Sequence, residues 1–217
     1  MPGTAATPPA VKGLYAITPN MDDTKDLLRR SRLALEGGAN ALQYRNKSAT
    51  AALQLKQASA LRKLTREFAV TFIVNDSALL AAEVDADGVH LGAADESIAA
   101  ARRIIGTHKI IGVSCYNRLS LAHAATNAGA DYLAFGAFFS SPVKPDAVVA
   151  DIELLRQARA EFFLPLVAIG GITPHNGAPL LQAGADALAS ISALFDAVEI
   201  KTAAQNFSNL FIQESAP

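Results

Sequence analysis

The sequence has few of the residues that would mark a secreted, thiolate-metal or membrane protein. Its 217 residues include one cysteine, Cys115, and no tryptophan, which excludes an intrachain disulfide and a cysteine-based metal site. The formal net charge of −1 gives no general attraction to nucleic acid or anionic lipid. No apolar run approaches the roughly 18 residues of a membrane span, and residues 1–10 lack the basic start of a signal peptide. We therefore expect a cytoplasmic protein that binds neither nucleic acid nor membrane.

Apolar residues are plentiful and are arranged in a regular order. Hydrophobic residues make up 51% of the chain, enough to bury the core of one large domain. We predict a flexible Pro/Ala/Thr-rich tail over residues 1–10 and a single domain over residues 11–217. Strands are predicted at 13–18, 42–47, 71–76, 88–91, 110–115, 132–139, 166–172 and 187–192. Helices are predicted at 24–36, 48–68, 77–84, 95–105, 119–128, 148–161, 175–183 and 198–213.

This alternation predicts a single (β/α)8 TIM barrel. The strands are continuous apolar runs, which is typical of a parallel sheet covered on both faces. Three helix–strand joints repeat one pattern, at 37–41, 128–132 and 183–187, with glycine after the helix and Asn or Asp before the strand. An open dinucleotide-binding sheet is disfavoured because no early G-x-G-x-x-G turn is present.

The predicted second strand carries an unusual polar face. Side chains alternate across a strand, so Gln43, Arg45 and Lys47 share one face while Leu42 and Tyr44 share the other. Two cations and an amide would be costly to bury without partners. The face is either a solvated edge or a clamp for a phosphate or diphosphate.

Polar residues also follow the other predicted strands, at the end where TIM barrels carry their active sites. They are Asn75, Asp76, Asp95, Ser114, Ser140, Ser141, Lys144, Gly170, Gly171 and Ser192. Asp76 and Asp95 could bind Mg²⁺ together with diphosphate oxygens, or each could be a helix N-cap. The Gly170-Gly171 pair indicates a phosphate site or a tight turn. His90, between two apolar residues, fits a hydrogen-bonded core histidine better than a catalytic base.

Seven short motifs, taken in this order and spacing, resemble the thiamine phosphate synthase family from about residue 13 to 212. The motifs are Gln43-Tyr44-Arg45-Asn46-Lys47, Asn75-Asp76, His90-Leu91-Gly92-Ala93-Ala94-Asp95, Gly112-Val113-Ser114, Lys144-Pro145, Ile169-Gly170-Gly171-Ile172 and Ile191-Ser192. The resemblance implies a transferase that joins a hydroxymethylpyrimidine diphosphate to a thiazole phosphate, giving thiamine phosphate and diphosphate. It implies a dissociative displacement that needs no protein nucleophile.

The resemblance also implies roles for individual residues. The pyrimidine diphosphate would be bound by Gln43, Tyr44, Arg45, Asn46, Lys47, Asn75, Ser114 and Lys144, with Arg45, Lys47 and Lys144 stabilising the leaving group. Mg²⁺ would be bound by Asp76 and Asp95. The thiazole phosphate would be bound by Ser141, Pro142, Val143, Gly171, Ile191 and Ser192.

Two departures from the family pattern leave other functions open. Ala93 stands where the family usually has glutamine, and Ser141-Pro142-Val143 stands where it usually has T-x-T; the second change is expected to weaken the acceptor-phosphate site. A related thiazole tautomerase and a non-catalytic barrel that binds thiamine phosphate are the alternatives. The tautomerase reading is disfavoured because residues 114–117 contain no histidine. Oligomeric state, including a homo-oligomer, is left open, as are the preference for a carboxylated or plain thiazole and the turnover rate.

Overall fold

The computed structural model describes residues 11–140 and 150–214. Eight parallel strands form a closed barrel in sequence order, β1 pairing with both β2 and β8. The strands are β1 Gly13–Ile17, β2 Ala41–Tyr44, β3 Thr71–Asn75, β4 Gly88–Leu91, β5 Ile110–Tyr116, β6 Tyr132–Gly136, β7 Leu166–Ile169 and β8 Ala187–Ser190. The predicted (β/α)8 TIM barrel is confirmed. The tail predicted at residues 1–10 lies outside the described residues.

Nine helices occur in the described part of the chain. They are α1 Thr24–Glu36, α2 Ala51–Glu67, α3 Ala78–Glu83, α4 Ile98–Ile105, α5 Leu119–Asn127, α6 Ile152–Glu161, α7 Ala178–Gln182, α8 Ser192–Phe195 and α9 Ile200–Glu214. None of the helices in residues 11–140 and 150–214 is both long and apolar enough to cross a bilayer. The short helix α8 was not predicted, because Ser192 was assigned to the last strand.

Among the strands, most differences from the predicted bounds lie at the carboxyl ends. β2 ends at Tyr44 rather than residue 47, and β7 ends at Ile169 rather than residue 172. After β7, Gly170 and Gly171 have φ of +101° and +63°, a region that glycine reaches without the strain of a Cβ. The alternation of side chains continues to Lys47 after β2, and an apolar residue, Ile172, follows the two glycines after β7. The sequence pattern alone therefore overestimates the length of these strands.

Two hydrophobic cores result from the alternation of side chains. Tyr15, Ile73, Tyr132 and Val167 are among the residues that fill the barrel interior. A larger cluster lies between the outer face of the barrel and the helices, and it includes Leu42 and Tyr44. The predicted division of β2 into an inner face with Gln43 and an outer face with Leu42 and Tyr44 agrees with this packing.

A repeated contact fastens strands in pairs at their amino-terminal ends. Asp87, Asp131 and Asp186, here called the strand-pair aspartates, immediately precede β4, β6 and β8. Each carboxylate accepts a backbone N–H near the start of the preceding strand and an arginine N–H from the helix before that strand. The backbone donors are Phe72, Ile111 and Leu166, and the arginines are Arg62, Arg102 and Arg159, all at 2.7–2.9 Å. Two of these aspartates belong to the repeated joints seen in the sequence.

Candidate active site at the carboxyl ends of the strands

The chain after β2 is held in place by two residues that follow β1. The Thr18 Oγ1 accepts the Arg45 N–H at 2.8 Å and donates to the Arg45 carbonyl oxygen at 3.0 Å. The Asn20 Oδ1 accepts the Lys47 backbone N–H at 3.0 Å and an Arg45 guanidinium N–H at 3.4 Å. Arg45 and Lys47 are therefore positioned by the neighbouring loop rather than by strand pairing. The sequence analysis missed Thr18 and Asn20, although their place directly after an apolar strand was visible.

Tyr44 and Asn46, next to Arg45 and Lys47, form hydrogen bonds with other protein groups. The Tyr44 hydroxyl donates to Gln57 Oε1 at 2.9 Å, and the Asn46 amide donates to the same atom at 3.1 Å and to the Met21 carbonyl at 2.7 Å. Both side chains are buried, and burial raises the pKa of Tyr44 to about 12. Their polar atoms link the loop after β2 to helix α2 and the loop after β1.

The two candidate metal ligands lie together with a clamp lysine. Lys47 Nζ is 2.8 Å from Asp76 Oδ2, and the carboxyl groups of Asp76 and Asp95 are close enough to share a proton. Partial burial, followed by the hydrogen bond and charge of Asp76, raises the pKa of Asp95 above that of a free carboxyl group. Two carboxylates in this arrangement would be stabilised by a cation between them.

The alternative that these aspartates are helix caps is wrong. The N-cap of α3 is Ser77, whose hydroxyl accepts the Leu80 N–H, and the N-cap of α4 is Ser97, whose hydroxyl accepts the Ala100 N–H. Asp95 instead accepts the Gly92 N–H at 2.7 Å. Helix α4 begins at Ile98, three residues later than predicted. Asp76 has φ of +66°, a strained conformation for a residue with a side chain.

The donor set fits Mg²⁺ shared with a phosphate ligand rather than a metal bound by protein alone. No group of three or more His, Cys, Asp or Glu side chains converges on a metal position within the described ranges. Mg²⁺ prefers oxygen ligands and is usually bound by one or two carboxylates together with substrate phosphates and water. Asp76 and Asp95 match that requirement.

The barrel interior below these residues contains a chain of hydrogen bonds. Gln43 Nε2 donates to the Tyr15 hydroxyl at 2.9 Å, and the two tyrosine hydroxyls of Tyr15 and Tyr132 are 2.9 Å apart. The imidazole of His90 is bonded at Nδ1 to Tyr132 at 2.8 Å and at Nε2 to the Ser114 hydroxyl at 2.9 Å. We call these five side chains the interior chain. His90 is therefore a half-buried histidine with hydrogen bonds at both ring nitrogens, which agrees with the hydrogen-bonded histidine that the sequence favoured.

Burial controls the ionisation of the interior chain. It lowers the pKa of His90 to about 4, despite the opposing effect of the Asp76 charge. Burial also raises the pKa of both Tyr15 and Tyr132 well above that of a free tyrosine. At neutral pH all five side chains of the interior chain are therefore uncharged. Nearby, burial raises the pKa of the Cys115 thiol to about 12, which agrees with a packing role for that residue.

The remaining predicted residues are distributed as follows. Asn75 is the last residue of β3 and is paired in register with His90 of β4; its side-chain amide has no hydrogen-bond partner among the described residues. Gly171 follows β7, and a Cβ there would lie 2.5 Å from the Ser140 carbonyl oxygen, so glycine permits close packing against the loop after β6. Ile191 and Ser192 begin α8, after β8. Ser141, Pro142, Val143 and Lys144 lie outside the described residues.

The fold and the arrangement of these side chains define a class of protein. It is a (β/α)8 barrel with cationic and carboxylate side chains at the carboxyl ends of its strands, and we call this end of the barrel the mouth. A family model described as thiamine monophosphate synthase matches residues 14–194. The chain belongs to the thiamine monophosphate synthase family.

Individual relatives agree with this assignment over nearly the whole chain. A thiamine-phosphate synthase of Methylobacillus flagellatus is 54% identical over 203 residues, covering 94% of this chain and 97% of the relative. A thiamine-phosphate synthase of Thiobacillus denitrificans is 52% identical over 202 residues, covering 93% and 96%. The solved structure of a thiamine phosphate pyrophosphorylase from Pyrococcus furiosus superimposes with a TM-score of 0.84 at 37% identity, covering 94% and 97%.

Proposed function

We propose that this chain is a transferase that joins a hydroxymethylpyrimidine diphosphate to a thiazole phosphate, forming thiamine phosphate and releasing diphosphate. The family membership and the close relatives carry the assignment. The observation that supports it in the fold is the group formed by Lys47, Asp76 and Asp95 beside Arg45. Cations for a diphosphate and carboxylates for its metal ion lie within one mouth.

The proposed reaction breaks the bond between the pyrimidine methylene carbon and the diphosphate oxygen, and the electron pair leaves with the oxygen. The thiazole nitrogen then donates its lone pair to the methylene carbon. Negative charge grows on the diphosphate, so Arg45, Lys47 and Lys144 would stabilise the transition state more than the bound substrate. Mg²⁺, when bound by Asp76 and Asp95, would supply further charge stabilisation to the same oxygens.

Substrate binding would be divided between the two sides of the mouth. We assign the pyrimidine diphosphate to residues on and directly after β2 and on β3 and β5, with Lys144; they are Gln43, Arg45, Lys47, Asn75 and Ser114. Tyr44 and Asn46 would act by holding the loop after β2, since their side-chain polar atoms have protein partners. The thiazole phosphate is assigned to Gly171, Ile191 and Ser192, with Ser141, Pro142 and Val143; barrels often bind phosphate after strands 7 and 8. A cytoplasmic location and a possible homo-oligomer stay predictions from the sequence and the family.

One assay distinguishes this function from the two alternatives. Purified protein is mixed with pyrimidine diphosphate, thiazole phosphate and Mg²⁺, and release of diphosphate is followed. Release that requires both substrates supports the synthase. Isomerisation of a thiazole phosphate without diphosphate release would indicate a tautomerase, and binding of thiamine phosphate without turnover would indicate a non-catalytic barrel.

A further inference from the structure

We propose that Tyr15, Tyr132 and His90 are positioning residues, which form a one-way hydrogen-bond chain and thereby orient Gln43 and Ser114 toward the ligand. The proposal deepens the proposed function, since both end residues are assigned to the pyrimidine diphosphate. It adds three side chains that lie below the mouth and have no assigned role in the reaction.

The direction of the chain follows from counting hydrogens, starting at Gln43. Its Nε2 is a donor and faces the Tyr15 hydroxyl. Because that hydroxyl is buried, its single hydrogen needs an acceptor, and the Tyr132 oxygen is the one that the described residues offer. Tyr132 then donates its own hydrogen to Nδ1 of His90. A neutral imidazole has one N–H, which is left on Nε2 and donates to the Ser114 hydroxyl oxygen.

The two ends of the interior chain consequently offer different groups to a ligand. Gln43 offers Oε1, an acceptor that has no partner among the described residues, and the second hydrogen of Nε2. Ser114 accepts from His90, so its own hydrogen is free to be donated. The site is thereby set for a ligand with a donor on the β2 side and an acceptor on the β5 side. An aminopyrimidine, with an exocyclic amino group and ring nitrogens, has both.

The surrounding packing keeps the side chains of the interior chain in one arrangement. Tyr15, Tyr132 and Gln43 are at most 2% exposed, the His90 and Tyr132 rings are stacked, and Tyr15 meets Tyr132 edge to face. Gly112 lies against Tyr132, where a Cβ would approach Cζ to 1.8 Å. In the Gly112-Val113-Ser114 motif, the glycine therefore leaves room for the Tyr132 ring, and the serine is the last side chain of the interior chain.

The direction is tested on the wild-type protein by ¹⁵N NMR of the imidazole rings at neutral pH. The protein has four histidines, and the His90 signals are identified by their loss in the His90→Asn variant. We expect His90 to carry hydrogen on Nε2 and a bare Nδ1. Hydrogen on Nδ1 would reverse the links from Tyr15 to Ser114, although the Gln43 amide would still donate, and this result would overturn the proposal. This readout does not require activity, so it is separate from the test of the proposed function.

Positioning is tested by double-mutant kinetics, with Thr65→Val as the control because it removes a buried hydroxyl from α2, away from the mouth. We expect Tyr15→Phe to lower kcat/KM for the pyrimidine diphosphate by about tenfold, the scale of one hydrogen bond. The KM for thiazole phosphate should not change. In a Gln43→Ala background the same substitution should have almost no further effect, because Tyr15 acts through Gln43.

The same design applies at the other end, with Tyr132→Phe measured alone and in a Ser114→Ala background. Thermal unfolding of each variant is recorded to confirm that it is folded. Effects that multiply in the double variants, or a change equal to that of Thr65→Val, would overturn the proposal. Wild-type protein that releases no diphosphate would overturn the proposed function instead, while the imidazole tautomer would still decide the direction of the chain.

Discussion

The contact between Lys47 and Asp76 joins two residues that the proposed reaction uses separately. Their 2.8 Å ion pair balances a proposed diphosphate-binding cation against a proposed metal-binding carboxylate. In the proposed complex, Lys47 would exchange the Asp76 carboxylate for diphosphate, and Asp76 would exchange the Lys47 ammonium group for Mg²⁺. The charge of each side chain would therefore be balanced both before and after binding.

Removing either carboxylate should impair catalysis strongly. We expect Asp76→Asn and Asp95→Asn to lower turnover by at least ~10²-fold, the scale of losing one electrostatic stabiliser, and excess Mg²⁺ to restore part of it. Steady-state assays across a Mg²⁺ titration measure this. Asp23→Asn, which changes the exposed N-cap of α1, is the matched control. Full activity of either site variant at low Mg²⁺ would contradict the metal assignment.

Acid should weaken Mg²⁺ binding earlier than it would at an ordinary carboxylate. The raised pKa of Asp95 means that proton and metal compete for this carboxyl group at a higher pH. Acid has the opposite effect on the stability of the metal-free fold. Protonation of Asp95 stabilises that fold, and this contribution to the free energy of unfolding is lost as pH rises through the raised pKa. We therefore expect Asp95→Asn to raise the Tm of metal-free protein at neutral pH. A Tm below that of the wild type would contradict this.

Arg45 should affect the rate of the chemical step rather than ground-state binding alone. Charge grows on the diphosphate as its bond breaks, so Arg45→Ala should lower kcat. Arg45→Lys should also be poor, because a point charge does not reproduce the planar guanidinium fork. Thr18→Val should weaken the same step, since it removes both bonds to the Arg45 backbone; Thr126→Val, on α5, is its control. A change confined to the KM would instead indicate uniform binding.

At the scale of elements, the strand-pair aspartates should contribute to stability without affecting activity. Asp186→Ala leaves the Leu166 N–H and the Arg159 guanidinium without their shared acceptor. We expect the free energy of unfolding to fall by about 1–3 kcal/mol, measured by urea denaturation, with kcat unchanged. Glu153→Ala, which breaks an exposed ion pair within α6, should change it by less than about 1 kcal/mol. Equal losses in the two variants would contradict the assigned role.

The element order was predictable from sequence because most strands are largely apolar runs and three helix ends share one glycine pattern. The closed barrel and the inward direction of Gln43 followed from that order. The ends of the strands were not predictable, because Gly170 and Gly171 leave the extended conformation while the apolar pattern continues.

The polar contacts within the site were less accessible to sequence reasoning. Asp76 and Asp95 stood next to helices, and the caps could not be assigned to Ser77 and Ser97 until the turns were known. Thr18 and Asn20 act across neighbouring loops, 27 positions away from Arg45 and Lys47. The interior chain joins side chains of five strands whose register no local pattern specifies.

For the whole molecule, the strand-pair aspartates divide most of the barrel into three units that run from α2 to β4, from α4 to β6 and from α6 to β8. In each unit the aspartate joins the helix and both strands at the amino-terminal face. The loop after β2 leads into the first unit, and the segments after β4 and β6 connect the units to one another. Lys47 and Asp95 lie in two of these segments.

Insertions should therefore be tolerated differently at the two faces. Two glycines between Ala93 and Ala94, both exposed in the loop after β4, should lower the free energy of unfolding by less than about 0.6 kcal/mol, the cost of doubling a flexible loop. They should also disturb Asp95 and reduce activity. Two glycines between Gly129 and Ala130 should be far more damaging to stability, because they displace Asp131 from Ile111 and Arg102. Urea denaturation of both variants compares them, and equal losses would contradict the division into units.

This division has a consequence for how such a protein changes over generations. Mutations that lengthen or recompose the connections after β2 and β4 alter the residues nearest the ligand, yet leave the aspartate contacts of the opposite face in place. Inherited variation can therefore accumulate where it changes which molecule is bound, without first being compensated elsewhere in the scaffold. New substrate preferences would arise in this barrel by loop replacement, while the amino-terminal joints are retained.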